Sequence, residues 1–230
     1  VRYSHMSSAN YNAQTSRIYG DIGYLTSDPD IGADVADLFN YLTGYAQKDG
    51  YRKLMVAPVT LKREMIARID REAIRQREHG DGYIGFKLNG LLDPEVIQAL
   101  YRASQDGVRI DLNVRGLCAL RPGVKGLSEN IKVSSIVGRF LEHARIYYFR
   151  NGGKEEVYLG SSDLMPRNLH KRVEVLFPVL DQSYLRALVD VIFPIHLHDN
   201  LKSRDMLPDG TYVKRKAKKG EDLVSSQDWL

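Results

Sequence analysis

Two spacings of apolar residues alternate along this 230-residue chain, and each change of spacing marks an element boundary. Ile31, Val35, Leu38, Phe39 and Leu42 keep helical spacing, Asp28-Pro29 supplies a helix start, and Gly44 closes the element. Ahead of that helix the pattern predicts a strand at Arg2–Ser7 and a second near Arg17–Leu25, a segment too small to form a core alone. From Lys53 the pattern changes. Leu54-Met55-Val56-Ala57 reads as a short buried strand, Thr60 as the cap of a helix running to about His79, and Tyr83–Leu88 as a strand. Asp93-Pro94 starts another helix and Arg109–Val114 is a third strand. That β-α-β-α-β order predicts a parallel sheet with helices packed on it. Ile131–Ile136, Arg145–Phe149, Glu156–Leu159 and Val173–Leu180 add strands, and Gln182–His198 is the last predicted helix. The run Lys214-Arg215-Lys216-Ala217-Lys218-Lys219-Gly220 reads as solvated and disordered.

The chain also nearly repeats itself. At a constant offset of 153, Asn10 meets Asp163, Thr15 meets Asn168, Asp21 meets Glu174 and Asp28 meets Asp181, with a helical pattern following each time. The second copy carries more upstream: His143, Arg145, a strand to Phe149, an Asn151-Gly152-Gly153 turn, a return strand, then Gly160-Ser161-Ser162-Asp163 and Asn168. The first copy's equivalent of His143 would fall before residue 1, so the chain is expected to begin inside the first half of a two-histidine site.

Composition narrows the class. With 43% apolar side chains the chain can bury one large core or two modest ones. No run of about 18 apolar residues is present to span a membrane, and Val1-Arg2-Tyr3-Ser4-His5 lacks the pattern of a secretory signal. One cysteine, Cys118, excludes an internal disulfide and suits a reducing compartment. A net charge of +4, from 33 basic and 29 acidic residues, favours an anionic partner only mildly, so the distribution of charge matters more than the total.

Several residues carry candidate chemistry. His143 and Arg145 stand two residues apart at a strand start, a spacing that aims an imidazole and a cation at one anion. Arg115 ends a parallel strand ahead of Gly116, where ligands gather and a guanidinium clamps phosphate oxygens. His5 lies in a strand ending at Ser7-Ser8-Ala9-Asn10, small and polar residues that let an oxyanion approach the backbone. His79, His170, His196 and His198 have no motif support, and the His196/His198 spacing is not that of a helical metal site.

A His-x-Lys/Arg pair, a hairpin, then Gly-Ser-x-Asn/Asp and a following Asn resembles the motif of the phospholipase D superfamily. The wording is narrower still. Tyr3–Asn12, Arg17-Ile18-Tyr19-Gly20-Asp21, Val114–Cys118, Leu127–Ile131, Ser135–His143 and Met165-Pro166-Arg167-Asn168 are similar to the C-terminal half of the bacterial polyphosphate kinases, over residues 1 to about 213. Ser7-Ser8-Ala9 stands where that family usually has Gly-Thr-Gly. The resemblance implies an α/β fold, a mixed sheet flanked by helices built as a phospholipase D-like repeat with a truncated first copy. In it, residues 1–53 would be the remnant of the first domain, 54–213 the second, and 214–230 a basic tail. It implies reversible transfer of the terminal phosphoryl group of ATP to inorganic polyphosphate through a phosphohistidine upstream of Val1.

By the same resemblance, His143 and His5 are catalytic candidates, Tyr19 stacks on adenine, and Arg115 contacts nucleotide phosphate. Arg145, Asn10, Asn168 and Arg167 follow as phosphate contacts. The implied cofactor is Mg²⁺, its ligands upstream. The implied partners are ATP or ADP and polyphosphate, with no nucleic acid, in a cytoplasmic homo-oligomer. Two alternatives stand beside this: a non-catalytic polyanion- or nucleotide-binding fragment, and a phospholipase D-like phosphodiesterase.

Overall fold

In a computed structural model of the chain, which describes residues 1–44 and 49–230, the amino-terminal segment is a pair of short antiparallel strands and one helix. Strand β1 (Ser4–Ser7) is followed by a 3-10 turn (Thr15–Arg17), then β2 (Tyr19–Gly20), β3 (Gly23–Thr26) and helix α1 (Pro29–Leu42). The single strand expected near Arg17–Leu25 is therefore broken in two. Its halves have different partners: β3 pairs with β1, whereas Tyr19 and Gly20 pair in parallel with a strand more than a hundred residues away. Ser8 makes the break, because its backbone and hydroxyl both bind the backbone of Ile22.

Helix α1 begins as its sequence dictates, with Pro29 in the first turn and the Asp28 carboxylate accepting from Ile31 N at 2.9 Å. Its Asp34 is fully buried and accepts the backbone N–H groups of Arg52, Lys53 and Leu54, tying the helix to the next strand. Asp34→Ala strands those donors and is expected to cost about 3 kcal/mol in denaturant unfolding. An unchanged midpoint would mean water replaces the carboxylate without loss.

The remaining elements build one nine-stranded sheet. In chain order they are β4 (Met55–Ala57), α2 (Leu61–His79), β5 (Tyr83–Leu88), α3 (Pro94–Gln105), β6 (Arg109–Val114) and β7 (Ile131–Ile136). There follow β8 (Leu141–Glu142), which pairs with β2, then β9 (Arg145–Phe149), β10 (Glu156–Gly160), α4 (Pro166–His170), β11 (Glu174–Pro178) and α5 (Gln182–Arg186). The last are α6 (Phe193–His198), β12 (Ser203–Met206), β13 (Tyr212–Lys214) and α7 (Ser226–Trp229).

The strand order is β13-β12-β7-β6-β5-β9-β10-β11-β4. Only β5, β6 and β7 are parallel neighbours; β4 does not lie beside β5 but pairs antiparallel with β11 at the far edge. The expected parallel β-α-β-α-β unit is thus opened by the β9-β10-β11 meander inserted between its first two strands. Thr60 precedes α2 without capping it, since its hydroxyl accepts from Val56 N at 3.0 Å.

Alternation within the central strands sends Ile84, Phe86, Leu88, Ile110, Leu112 and Val114 against α2 and α3. Ile146, Tyr148, Val157 and Leu159 point the other way and pack on Tyr24, Leu185 and Leu188, so residues 1–44 share a core with the rest. The helix expected over Gln182–His198 is continuous but contains a π-helical stretch, Ala187–Ile192, that ends two residues before Pro194. Proline lacks the N–H for the i−4 bond and its ring crowds that carbonyl, which a widened turn accommodates.

The basic run is not the disordered tail expected. Arg215 is anchored to Asp205 and to the carbonyls of Leu197 and Asp199, and Ser226 is seated on the buried Asp199 through N at 2.8 Å and Oγ at 2.9 Å. Lys216, Lys218 and Lys219 between those anchors are exposed.

The repeat has a structural counterpart. Ser7 pairs with Gly23 in β1–β3 and Gly160 with Leu176 in β10–β11, the same register displaced by the 153 of the sequence. Tyr24 and its equivalent Phe177 stack across the join, ring centroids 5.9 Å apart and 13° from parallel.

Candidate active site

The β2–β8 ladder positions the site. Tyr19 lies opposite Leu141 and Gly20 opposite Glu142, and the Gly20 carbonyl accepts from the N–H groups of both His143 and Ala144. His143 therefore follows β8 directly, 8% exposed, with its ring 4.8 Å from that of Tyr19. Its Nδ1 is 2.7 Å from Asp21 Oδ1, the oxygen that also accepts from Ser8 Oγ at 2.7 Å. An acceptor at Nδ1 draws the proton there and leaves the lone pair on Nε2, which makes no hydrogen bond among the described residues. Burial lowers the affinity of this ring for a proton below its ordinary value, and the nearby charge of Arg145 lowers it further, against the opposing pull of Asp21.

Arg145 does not stand free. Its guanidinium holds Asp163 (Nη2 to Oδ2 3.0 Å) and donates from Nη1 to the His143 carbonyl at 2.7 Å. Asp163 in turn accepts from Asn89 N and Gly90 N. Asn89 links the parts: its side chain donates to the His143 carbonyl at 3.3 Å and accepts from Arg115 Nε at 2.6 Å. Arg115 is half-buried at the carboxyl end of β6, and its terminal nitrogens make no hydrogen bond among the described residues. The following residue must be glycine, because a Cβ at Gly116 would lie 2.7 Å from the Asn89 carbonyl oxygen.

The other candidates lie at greater remove. Asn10 is exposed and lines, with Tyr19, Asp21 and Tyr11, a cavity of about 300 Å³. His5 is exposed on β1 and hydrogen-bonds the Tyr11 hydroxyl, with its ring 5.6 Å from the tyrosine's. Asn168 is buried in α4, where it donates to Glu174 at 2.7 Å and leaves its Oδ1 unpartnered, while Arg167 is exposed. Ser161 Oγ donates to the other oxygen of Glu174, so Ser161–Glu174 repeats Ser8–Asp21 at the same offset.

The fold thus brings together Tyr19, Arg115, His143 and Arg145 and leaves His5 and Asn168 in local bonds of their own. Sequence reasoning passed over Asp21 and Asn89 as site residues. Asp21 was already visible as the repeat partner of Glu174, and Asn89 stands at the carboxyl end of a parallel strand, where ligands gather. Among the described residues no three His, Cys, Asp or Glu side chains converge as a metal site.

A nine-stranded mixed sheet whose β10–β11 pair is repeated in the separate β1–β3 pair, with a histidine brought against the carboxylate of the other unit, defines a phospholipase D-like fold. A crystal structure of a phospholipase D family member, Nuc from Salmonella typhimurium, superposes with a TM-score of 0.50 over 67% of this chain and 97% of that one, at 13% identity, a likeness of fold alone. Residues 54–227 match the family model described as polyphosphate kinase C-terminal domain 2, and residues 1–48 match C-terminal domain 1. The chain belongs to the polyphosphate kinase C-terminal domain family.

A polyphosphate kinase of Synechocystis sp. is 50% identical over 98% of this chain, and one of Mycobacterium avium 52% identical over 92%. The crystal structure of polyphosphate kinase from Porphyromonas gingivalis superposes with a TM-score of 0.94 at 39% identity, over 99% of this chain and 35% of that one. The chain spans about a third of the length of the curated relatives it matches.

Proposed function

We propose that this chain forms the nucleotide-facing part of a polyphosphate kinase, which moves the terminal phosphoryl group of ATP onto inorganic polyphosphate and back. In this reading residues 1–53 and 54–213 belong to two phospholipase D-like units, and the histidine that carries the phosphoryl group lies upstream of Val1. The observation that carries it is the His143 imidazole, oriented by Asp21, with Nε2 free beside Tyr19 and within the Asn89-linked group that holds Arg115.

Phosphoryl transfer asks a protein mainly to neutralise charge and hold donor and acceptor in line. Arg115 supplies a cation with its outer nitrogens uncommitted, and His143 a proton acceptor or donor at Nε2. Arg145 fixes the His143 peptide, and Asn10, in the cavity it shares with Tyr19 and Asp21, serves as an outer contact for phosphate. Tyr19 offers its ring to the base. Mg²⁺ belongs to this reading as the ion that accompanies the nucleotide phosphates, and no step is routed through it. In this reading the protein works in the cytoplasm on ATP, ADP and polyphosphate. Among the described residues no helix is long and apolar enough to cross a membrane.

Tyr19→Ala tests the assignment. A base stacked on an aromatic ring is worth about 1–3 kcal/mol, so the substitution in the full-length protein should weaken ATP binding about fivefold to a hundredfold. Polyphosphate, which has no base, should bind almost as before. Equal losses for both ligands in a titration would make Tyr19 a packing residue and remove the base from this position.

A further inference from the structure

Beside Tyr19, behind β8, lies a buried ionic group for which the phosphoryl-transfer reading has no use. Lys87 is 1% exposed in the middle of the sheet, and a cation so placed persists only with partners. Its Nζ is 3.0 Å from Glu142 Oε2 and donates to the Ala144 carbonyl at 3.1 Å. Those two partners are the residues immediately before and after His143.

Glu142 is held by two further donors. His196 presents Nε2 at 3.1 Å to Oε2, and Gln227 donates from Nε2 to Oε1 at 2.6 Å. The His196 ring also has Nδ1 2.6 Å from the Ile192 carbonyl, so both of its nitrogens face acceptors. Gln227 binds the β8 approach a second way, pairing with both N and O of Phe140. Burial alone would raise the Glu142 carboxyl; the bond from His196 and the charge of Lys87 overcome it and hold the group well below the usual carboxylate range. Three elements, β5, α6 and α7, therefore converge on Glu142 of β8, and β5 also reaches Ala144 on the far side of the imidazole.

We infer that Lys87 and Glu142, braced by His196 and Gln227, form a positioning clip that sets the height and direction of His143, and through the β2–β8 ladder of Tyr19, relative to Asp21. The side chain of His143 has one hydrogen bond, to Asp21, so its aim depends on where its backbone is held. A ring displaced by an ångström loses both the Asp21 bond and its alignment, at a cost of about a hundredfold in rate. Buried ion pairs contribute little net stability over a neutral isostere, which fits a group kept for geometry.

The test is Lys87→Met/Glu142→Gln in the full-length protein, which removes both charges together and leaves no ion buried alone. The activity arm rests on the proposed kinase reading: turnover should fall about tenfold to a hundredfold with KM for polyphosphate, which does not use Tyr19, little changed. The second arm is independent of it. In ¹⁵N-histidine-labelled protein the His143 nitrogens, assigned by their loss in His143→Gln, should move from a single Nδ1-protonated tautomer toward an average of two. If the double variant melts early, Lys87→Gln/Glu142→Gln, which also removes both charges but keeps polar groups for the buried partners, takes its place with the same readouts. A folded variant with unaltered His143 resonances overturns the clip whether or not the protein transfers phosphate. Altered resonances in a protein inert toward ATP uphold the clip and sink the kinase reading instead.

Discussion

His143→Ala should lower ATP-to-polyphosphate transfer by the full-length protein by about a hundredfold or more, the scale of losing a positioned proton donor or acceptor. The imidazole is the one ring in the site whose tautomer is set by a carboxylate, and its Nε2 has no hydrogen-bond partner among the described residues. Turnover near wild type in a folded variant would make His143 structural. Asp21→Asn should cost less, about ten- to a hundredfold, because it disturbs the ring's orientation without removing it.

The sign of the pH dependence follows from the same contacts. Burial and Arg145 lower the His143 midpoint below 6.5, whereas Asp21 raises it, so NMR titration should place it below 6.5 and lower still in Asp21→Asn. The folded state then binds this proton less tightly than the unfolded chain does. The resulting cost to stability is absent above pH 6.5 and grows as pH falls through 6.5 toward the folded midpoint.

Arg115→Ala should weaken both ATP and polyphosphate, each by about a hundredfold at low salt, since a bidentate charged clamp is lost and each charge-assisted bond is worth roughly 1.5–3 kcal/mol. By analogy with counterion release from nucleic acids, the slope of log affinity against log salt should flatten by about 1. Deleting residues 214–230 would be a poor comparison, because it also strips Gln227 from Glu142 and Ser226 from Asp199. The comparison is Lys216→Ala/Lys218→Ala/Lys219→Ala, three exposed lysines whose loss should change affinity only modestly. Abolished binding there, with Arg115→Ala silent, would move the polyanion from the site to the basic run.

What could be read from the sequence was local or periodic. Tyr83–Leu88, Arg109–Val114, Ile131–Ile136 and Arg145–Phe149 emerge as strands with the expected bounds, because β-branched and aromatic runs between turn residues have few alternatives. Asp28-Pro29 and Asp93-Pro94 start helices because the cap needs only its own next turn. The 153-residue offset survives as a shared strand register, since the same alternation must bury the same face twice. The family, too, was legible, in motifs such as Ser135–His143.

Partners distant in the chain were decided only by tertiary structure. Whether β4 lies beside β5 or has three strands between them depends on where the β9-β10-β11 meander inserts, and a strand's own residues do not encode its neighbour. Tyr19-Gly20 leave β3 to join β8 because the ladder that receives them is supplied by residues 141 and 142, more than a hundred positions along the chain. The sequence alone determined that a histidine, an arginine and a tyrosine with the family's motif were present. That Asp21 turns the histidine, that Asn89 joins it to Arg115, and that Lys87 grips its two neighbours follow from burial, which makes an unpaired polar group costly and so favours whatever partner the fold has brought near.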